Sequence, residues 1–407
     1  MKNHKEQFPK IRFHTYCDEW RQYKLGEVFK QTVEYVDPYE QNLELWSVTV
    51  ESGLTPKEER YNREFLVKKS DKFKKLYPEE IVYNPMNITI GAVGFNNVGK
   101  EVAVSGYYVT MKIKSKFSNK FFSVWLSCPK AISLYKIYST GSLIERQRVQ
   151  FPTLSEIRAS FPSFTEQSAI GSLFRTLDDL LASYKENLAN YQSLKATMIS
   201  KMFPKGGQAV PEIRLDGFKG EWECRKLGTI VDIIGGGTPD TNVEEYWNGE
   251  INWFSPTEVG NSIYLDSSEK KISELGLQKS SAKILPANRT ILFTSRAGIG
   301  SVGIITKDST TNQGFQSLVI KQGIDIYFLY TYSSEIKRYS LKHSAGSTFL
   351  EISGRELGKM DIVIPSYEEQ QAIGDYFAKL DQLITSYQEK ITQLESLKKK
   401  LLQDMFI

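Results

Sequence analysis

The chain contains the same helix-like stretch twice, and the second copy begins 203 positions after the first. "PSFTEQSAIGSLFRTLDDLL" starts at Pro162 and "PSYEEQQAIGDYFAKLDQLI" at Pro365. Over 162–204 and 365–407 the copies share 19 of 43 positions without a gap. A second match lies upstream at almost the same offset. "PKIRFHTYCDEWRQYKLGEV" from Pro9 and "PEIRLDGFKGEWECRKLGTI" from Pro211 share Pro, Ile, Arg, Glu, Trp, Lys, Leu and Gly. Two gap-free matches at nearly one spacing mean an internal duplication that fills the 407 residues. The chain is therefore constrained to two related units with an internal pseudo-twofold repeat.

Each copy reads as a helix. Ser163 with Glu166, and Ser366 with Glu369, fit the S-x-x-E capping box that satisfies free amides at a helix start. Downstream, Ile170, Leu177, Tyr184, Tyr191 and Met198 recur every seven residues, with Phe174, Leu181, Leu188 and Met202 four positions on. The second copy repeats this with Ile373, Leu380, Tyr387, Leu394 and Leu401. A stripe of this kind also suits a core helix in a bundle. Its length, and the presence of two natural partners, favour two long helices over 160–204 and 362–407 that pair as an antiparallel coiled coil.

The stretches between the helices differ from each other. Residues 21–150 and 223–355 share little identity, yet both are rich in β-branched and aromatic residues with frequent turns. A common pattern survives in "EEIVYNPMNITIGAVGF" and "NRTILFTSRAGIGSVGI", and again in "VSGYYVTMKIK" and "NQGFQSLVIK". Each pair predicts strand, turn and strand, so the fold class is mixed α/β (α+β), with two globular domains separated by the two helices. Residues 1–20 form an N-terminal segment. Residues 205–222, with Gly206, Gly207 and Pro211, read as a linker and hinge between the repeats.

Composition narrows the function by exclusion. The net charge of +4 and pI near 8.6 suit a nucleic-acid partner without establishing one. Cys17, Cys128 and Cys224 make no CxxC pair, and the three histidines have no ligand-like neighbours, so no metal site is expected. The N-terminus lacks the apolar core of a signal peptide, and no apolar run is long enough to cross a membrane. A cytoplasmic location is expected. "GIGSVG", with Gly298, Gly300 and Gly303, matches a dinucleotide loop but leads into a β-branched run where such a loop needs a helix. "NPMN" from Asn84 lacks the second proline and the aromatic of an adenine methyltransferase loop. No P-loop, H-E-x-x-H, G-x-S-x-G or nuclease arrangement occurs. No catalytic residue or metal ligand is assigned.

Basic residues are the positive signal. Between Lys57 and Lys75 lie eight Lys or Arg, including Lys68, Lys69, Lys72, Lys74 and Lys75, against four acids. Lys112 and Lys114 follow with Lys116 and Lys120. Such charges neutralise phosphates, whereas base edges are read by Arg, Asn, Gln, Ser or Thr in turns. Asn84 in the first domain and Ser255, Ser295, Arg296, Asn312 and Gln313 in the second are the candidates for DNA contact.

Two unlike domains, each followed by "P-[ST]-x-x-E-Q-x-x-I…LD…L…LK…MF", resemble the specificity subunit of type I restriction-modification systems. "GGGTPDTNVEEYWNGEINWFS", "LFTSRAGIG" and "TNQGFQSL" look like target-recognition motifs of that family. The first domain departs from it, with "ELWSVTVESGLTPKEE" in place of the Gly-Thr-Pro entry. The resemblance implies that the chain is non-catalytic and that each recognition domain reads one half of a split double-stranded DNA target. It also implies that the helices act as a ruler and dock two methyltransferase subunits, with restriction subunits in the full complex. S-adenosylmethionine, ATP and Mg would then be used by the partners, with no cofactor on this chain. Glu166, Gln167, Leu177 and Tyr184, with Glu369, Gln370, Leu380 and Tyr387, are the candidate partner-binding residues. Rival readings are a coiled-coil adaptor of another assembly and a DNA methyltransferase with an unrecognised active site.

Overall fold

The computed structural model describes residues 8–57, 72–141, 147–296, 298–346 and 350–407. The long helices occupy Phe164–Met202 and Tyr367–Asp404. Around them the chain forms two compact units, Met1–Glu186 with Glu389–Ile407, and Asn187–Gln388. Neither unit is one repeat. Each takes a globular domain and the first half of the following helix from one repeat, and the last stretch of helix from the other.

The closing stretch supplies core. In the first unit Leu401, Met405 and Phe406 are buried with Trp20, Phe121, Phe161 and Phe174, and the Phe406 ring lies 5.6 Å from Phe121 and 5.8 Å from Phe174. The second unit repeats the arrangement with Met202 and Phe203, Phe203 standing 5.5 Å from Phe328 and 6.2 Å from Phe377. Burying each such side chain contributes about 1.5–3 kcal/mol. The Met-Phe pair that ends both copies of the helix is thus the plug of a unit built mainly from the other repeat.

The start of each helix is fixed by charge. Both oxygens of Glu166, which is 1% exposed, accept from the Arg12 guanidinium at 2.7 Å. Arg214 holds Glu369 in the same way at 2.8 and 2.7 Å. The hydrogen bonds that Arg12 donates to Glu166 raise the arginine's pKa further above its already high value. The capping boxes are accordingly half made. Ser163 and Ser366 accept from the Glu166 and Glu369 amides at 3.4 Å, but the carboxylates go to the arginines, because a bidentate charged pair outcompetes a single bond to a neutral amide.

Two further shared residues seat the helix on its own domain. Gln167 accepts from the Ser118 amide at 3.0 Å and donates to the Pro162 carbonyl at 2.9 Å. Gln370 accepts from the Asp325 amide and donates to the Pro365 carbonyl, both at 3.1 Å. A Cβ on Gly171 would stand 2.5 Å from the Lys120 backbone, and one on Gly374 would stand 2.4 Å from the Asp325 carboxylate. Only glycine lets the domain approach this closely.

Within each unit the two helix stretches run antiparallel. The first unit joins Asp178 to Lys398, and Lys185 to Glu395 at 2.7 Å. In the second, Lys195 pairs with Asp381 at 2.5 Å, and the Tyr191 and Tyr387 rings lie 5.3 Å apart. The shared Asp and Lys of the two copies therefore make one contact twice, with the roles exchanged.

Residues 205–222 are tied to the second unit, because this stretch carries Arg214 and Trp222, which is 3% exposed in the second core. The Ile213 amide donates to the Lys201 carbonyl at 2.9 Å. Residues 8–20 repeat the arrangement with Arg12, Trp20 and an Ile11 amide bonded to Asp404 at 3.0 Å.

Both globular domains contain a sheet of matching order. In the first, the strands run Phe29–Thr32, Val109–Ile113, Ile81–Tyr83, Val93–Phe95. In the second they run Val231–Gly235, Gln316–Ile320, Thr290–Phe293, Val302–Ile305, with Tyr264–Leu265 added at the edge. The central pairs are antiparallel in both. The mixed fold is as expected from the two matched strand patterns.

Removing one partner of a buried ion pair leaves an uncompensated charge, at about 3–5 kcal/mol. Arg12→Ala or Arg214→Ala should each destabilise by that amount, measured by urea unfolding. Arg12→Lys should recover little, since an ammonium cannot fork to both oxygens.

Candidate nucleic-acid interface

In each sheet a loop and a turn emerge at the same end. In the first unit Tyr83 pairs with Val109, so residues 84–92 and the turn at 105–108 share an end. In the second, Thr294 bridges Phe315 and the Ser295 amide donates to the Gly314 carbonyl at 2.8 Å, bringing 294–301 beside 312–315. Gly91 and Gly300, with φ of 100° and 93°, turn the two loops at matched positions.

The second unit adds a strap. The Gly237 amide donates to the Thr311 carbonyl at 2.8 Å, and Trp253 Nε1 donates to the Gly237 carbonyl at 2.8 Å. Thr238 Oγ1 then donates to the side-chain oxygen of Gln313. The three motifs of the sequence, "GGGTPD", "INWF" and "TNQGF", meet here. Gln313 is exposed, Asn312 is half-buried, and among the described residues the half-buried Arg296 has no hydrogen-bond or ion-pair partner. Asn312 Oδ1 accepts from the Gly314 amide at 2.8 Å, which fixes the turn and leaves its NH2 free to donate outward. Two expected contacts are framework instead. Ser295 is fully buried, and its hydroxyl has no protein partner. Ser255 is tied by both its amide and its Oγ to the Glu258 carboxylate at 2.7 Å, capping the short turn Pro256–Glu258.

The first unit divides the basic residues. Lys72 is exposed beside the turn, its carbonyl accepting from the Gly106 amide at 2.8 Å. Lys74 is 6% exposed and donates to the Tyr108 carbonyl at 2.6 Å, with burial lowering its pKa. Lys75 pairs with Glu101 at 2.6 Å. Lys112 and Lys114 belong to the opposite end of the sheet. At about 3.3 Å per residue, Lys112 is roughly 16 Å along the strand from Tyr107. It stands across from Lys30, and Lys114 Nζ donates to the Gly26 carbonyl at 2.8 Å. There a cavity of about 580 Å³ is lined by Lys30, Lys75 and Lys112 but also by Glu34, Glu79 and Glu80. Lys68 and Lys69 lie outside the described residues.

Asn84 is half-buried, and its Oδ1 accepts from the Met86 amide at 3.0 Å. Matching 81–95 to 290–304 without a gap sets Asn87, not Asn84, opposite Arg296, and Asn87 is exposed. That signal was present in the sequence. Tyr107, in the turn matched to 312–315, was missed because an exposed tyrosine has no pattern of its own.

The candidate partner residues are mostly interior. Glu166, Gln167, Glu369 and Gln370 are 1–2% exposed, and Leu177 and Leu380 are 7% and 8% exposed. Tyr184 and Tyr387 are half-buried. The first six hold the units together, which accounts for their repetition.

Residues 219–396 match the family model for the type I restriction modification DNA specificity domain. Within those residues the chain is similar to that domain. It is 37% identical over 191 residues to the type I restriction enzyme MjaIX specificity subunit of Methanocaldococcus jannaschii, covering 46% of this chain and 44% of that one. The EcoR124I/EcoR124II specificity subunit of Escherichia coli is 32% identical over 190 residues, covering 45% and 46% of the two chains. The chain thus spans about half the length of these relatives. The crystal structure of a type I restriction-modification S subunit from M. genitalium matches the fold with a TM-score of 0.62 at 16% identity, covering 98% of this chain and 99% of that one. The strap, loop and turn of the second unit therefore stand on a fold of known kind.

Replacing Trp253 by Phe leaves the Gly237 carbonyl without its donor. The loss of about 1–3 kcal/mol should appear in urea unfolding. Hydrogen exchange should quicken over 235–239 and 311–315, with the first unit unchanged.

Proposed function

We propose that the chain is the sequence-reading, non-catalytic subunit of a type I restriction-modification complex, acting in the cytoplasm on a bipartite DNA target. One observation carries this reading. Two units of matching sheet order present a loop and a turn at the same sheet end, and the residues at those ends differ between the units. Like frames with unlike tips suit two readers of two different half-sites. In the second unit Arg296 and Gln313 are the base-reading residues, since each carries donors suited to base edges in the major groove. In the first unit Asn87 takes the place proposed earlier for Asn84. Lys72 supplies phosphate contact beside the turn, and Lys112 and Lys114 can serve only backbone contact away from it. Lys68 and Lys69, close in sequence to Lys72, extend that basic run.

Methyltransferase subunits dock on what the helices leave uncovered. Phe164 and Tyr367 are matched across the repeat, as are Leu194 and Leu397, and their exposures are 52%, 42%, 42% and 45%. Each unit presents one aromatic and one leucine of this set, Phe164 with Leu397 and Tyr367 with Leu194. Two equal sets of exposed apolar side chains suit two copies of one partner. Tyr184 and Tyr387, half-buried, border them along the helices. S-adenosylmethionine, ATP and Mg would be used by the partner subunits.

The test is a map of methylated adenines in cells with and without the gene. A split motif that vanishes with the gene is expected, and a map that does not change would contradict the reading. Arg296→Ala should relax one position of one half-site, at about 1–3 kcal/mol of lost discrimination. Uniform weakening at all sequences would mark it as a phosphate contact instead. Leu194→Asp with Leu397→Asp should abolish co-purification of the methyltransferase while leaving the unfolding midpoint within about 0.5 kcal/mol of the original.

A further inference from the structure

The two sheet ends differ in a way that goes beyond which residues they carry. Ile90 and Ile299 occupy matched positions, each just before the left-handed Gly91 or Gly300. Ile90 is 56% exposed and Ile299 is 6% exposed. Tyr107 and Phe315 each follow the glycine of the turn, and they are 88% and 0% exposed. Met86, in the same loop as Ile90, is 46% exposed. No large apolar side chain is exposed among the described residues of 294–316. The second unit has thus folded its apolar residues under the tip and left Arg296, Asn312 and Gln313 outward. The first leaves Met86, Ile90 and Tyr107 in water beside its exposed Asn87.

Single exposed apolar side chains are ordinary, but three on the loop and turn at one sheet end suit an occupant. The exposed Lys72 beside the turn marks that occupant as anionic. In the major groove of DNA the one apolar feature that distinguishes bases is the C5 methyl group of thymine. We infer that the first unit reads its half-site through thymine methyl groups, using Met86, Ile90 and Tyr107, whereas the second unit reads by hydrogen bonds. Asn87, exposed between Met86 and Ile90, supplies a bidentate amide for the adenine paired with such a thymine. This rests on the DNA-reading function proposed above.

The methyltransferase complex assembled on the full chain is the material for the test. Its split motif is mapped first, and exchange of residues 223–355 for those of a relative identifies the half that stays with the first unit. Deoxyuridine is then substituted for thymidine in one half-site at a time, which removes only the methyl groups. Competition binding should show about fourfold weaker affinity for each contacted methyl lost from the first unit's half-site. The same substitution in the other half should change affinity less than twofold. Ile90→Ser should erase the preference for thymidine at one position without moving the unfolding midpoint, because Ile90 is already largely in water. A first half-site without thymine, equal binding of the uridine duplex, or an equal loss in both halves would overturn the inference. A complex with no preference for its mapped motif over a scrambled duplex would instead overturn the DNA-reading function itself.

Discussion

The fold depends on a guanidinium–carboxylate pair made twice. Arg12 and Glu166, and again Arg214 and Glu369, pin the start of each long helix to a segment that is hydrogen-bonded, through Ile11 or Ile213, to the end of the other. An ion pair this buried adds little net stability over a well-packed apolar pair, but it tolerates no partial removal. Its geometry is also specific, since a planar fork meets two oxygens in one orientation only. The pair therefore sets where each helix begins. With that fixed, Gln167 or Gln370 and Gly171 or Gly374 can seat the domain beside it.

Closure follows from the same repetition. Because each unit borrows the Met-Phe end of the other repeat's helix, neither repeat contains a complete core. The residues shared between the copies, from the arginine to the final phenylalanine, are those that make this exchange. The sheet ends are released from that constraint, and there the chain varies. Stability and recognition are thus carried by different residues, which lets the two tips diverge in chemistry while their frames stay alike.

Much of this was legible in the sequence. Sevenfold spacing and the duplicated blocks predicted both helices, and the strand–turn–strand patterns anticipated the matched sheets. The role of the shared residues was not legible. Glu166 and Gln167 look like surface polar residues on a helix, and only their pairing with Arg12 and the Ser118 amide, far away in sequence, makes them interior. Repetition suggested a doubled partner surface, whereas much of it reflects doubled internal closure. Among the site residues, Arg296 is half-buried and Gln313 is exposed. Ser295 is fully buried, as are its neighbours from Ile291 to Thr294, so its hydroxyl does not reach the surface. Exposure of Tyr107 and Ile90 could not be read from residue type, since the same residue class at matched positions is buried in the second unit.

The central claim is that the shared residues hold the units while the loop and turn of each unit alone decide what is read. The direct measurement is a graft confined to residues 294–301 and 312–315, replaced by those of a relative with a different target, with methylated motifs mapped and unfolding followed in parallel. The account predicts that one half of the motif changes, the other half and the spacing persist, and the unfolding midpoint stays where it was. A motif unchanged by the graft, or altered in both halves, would contradict it.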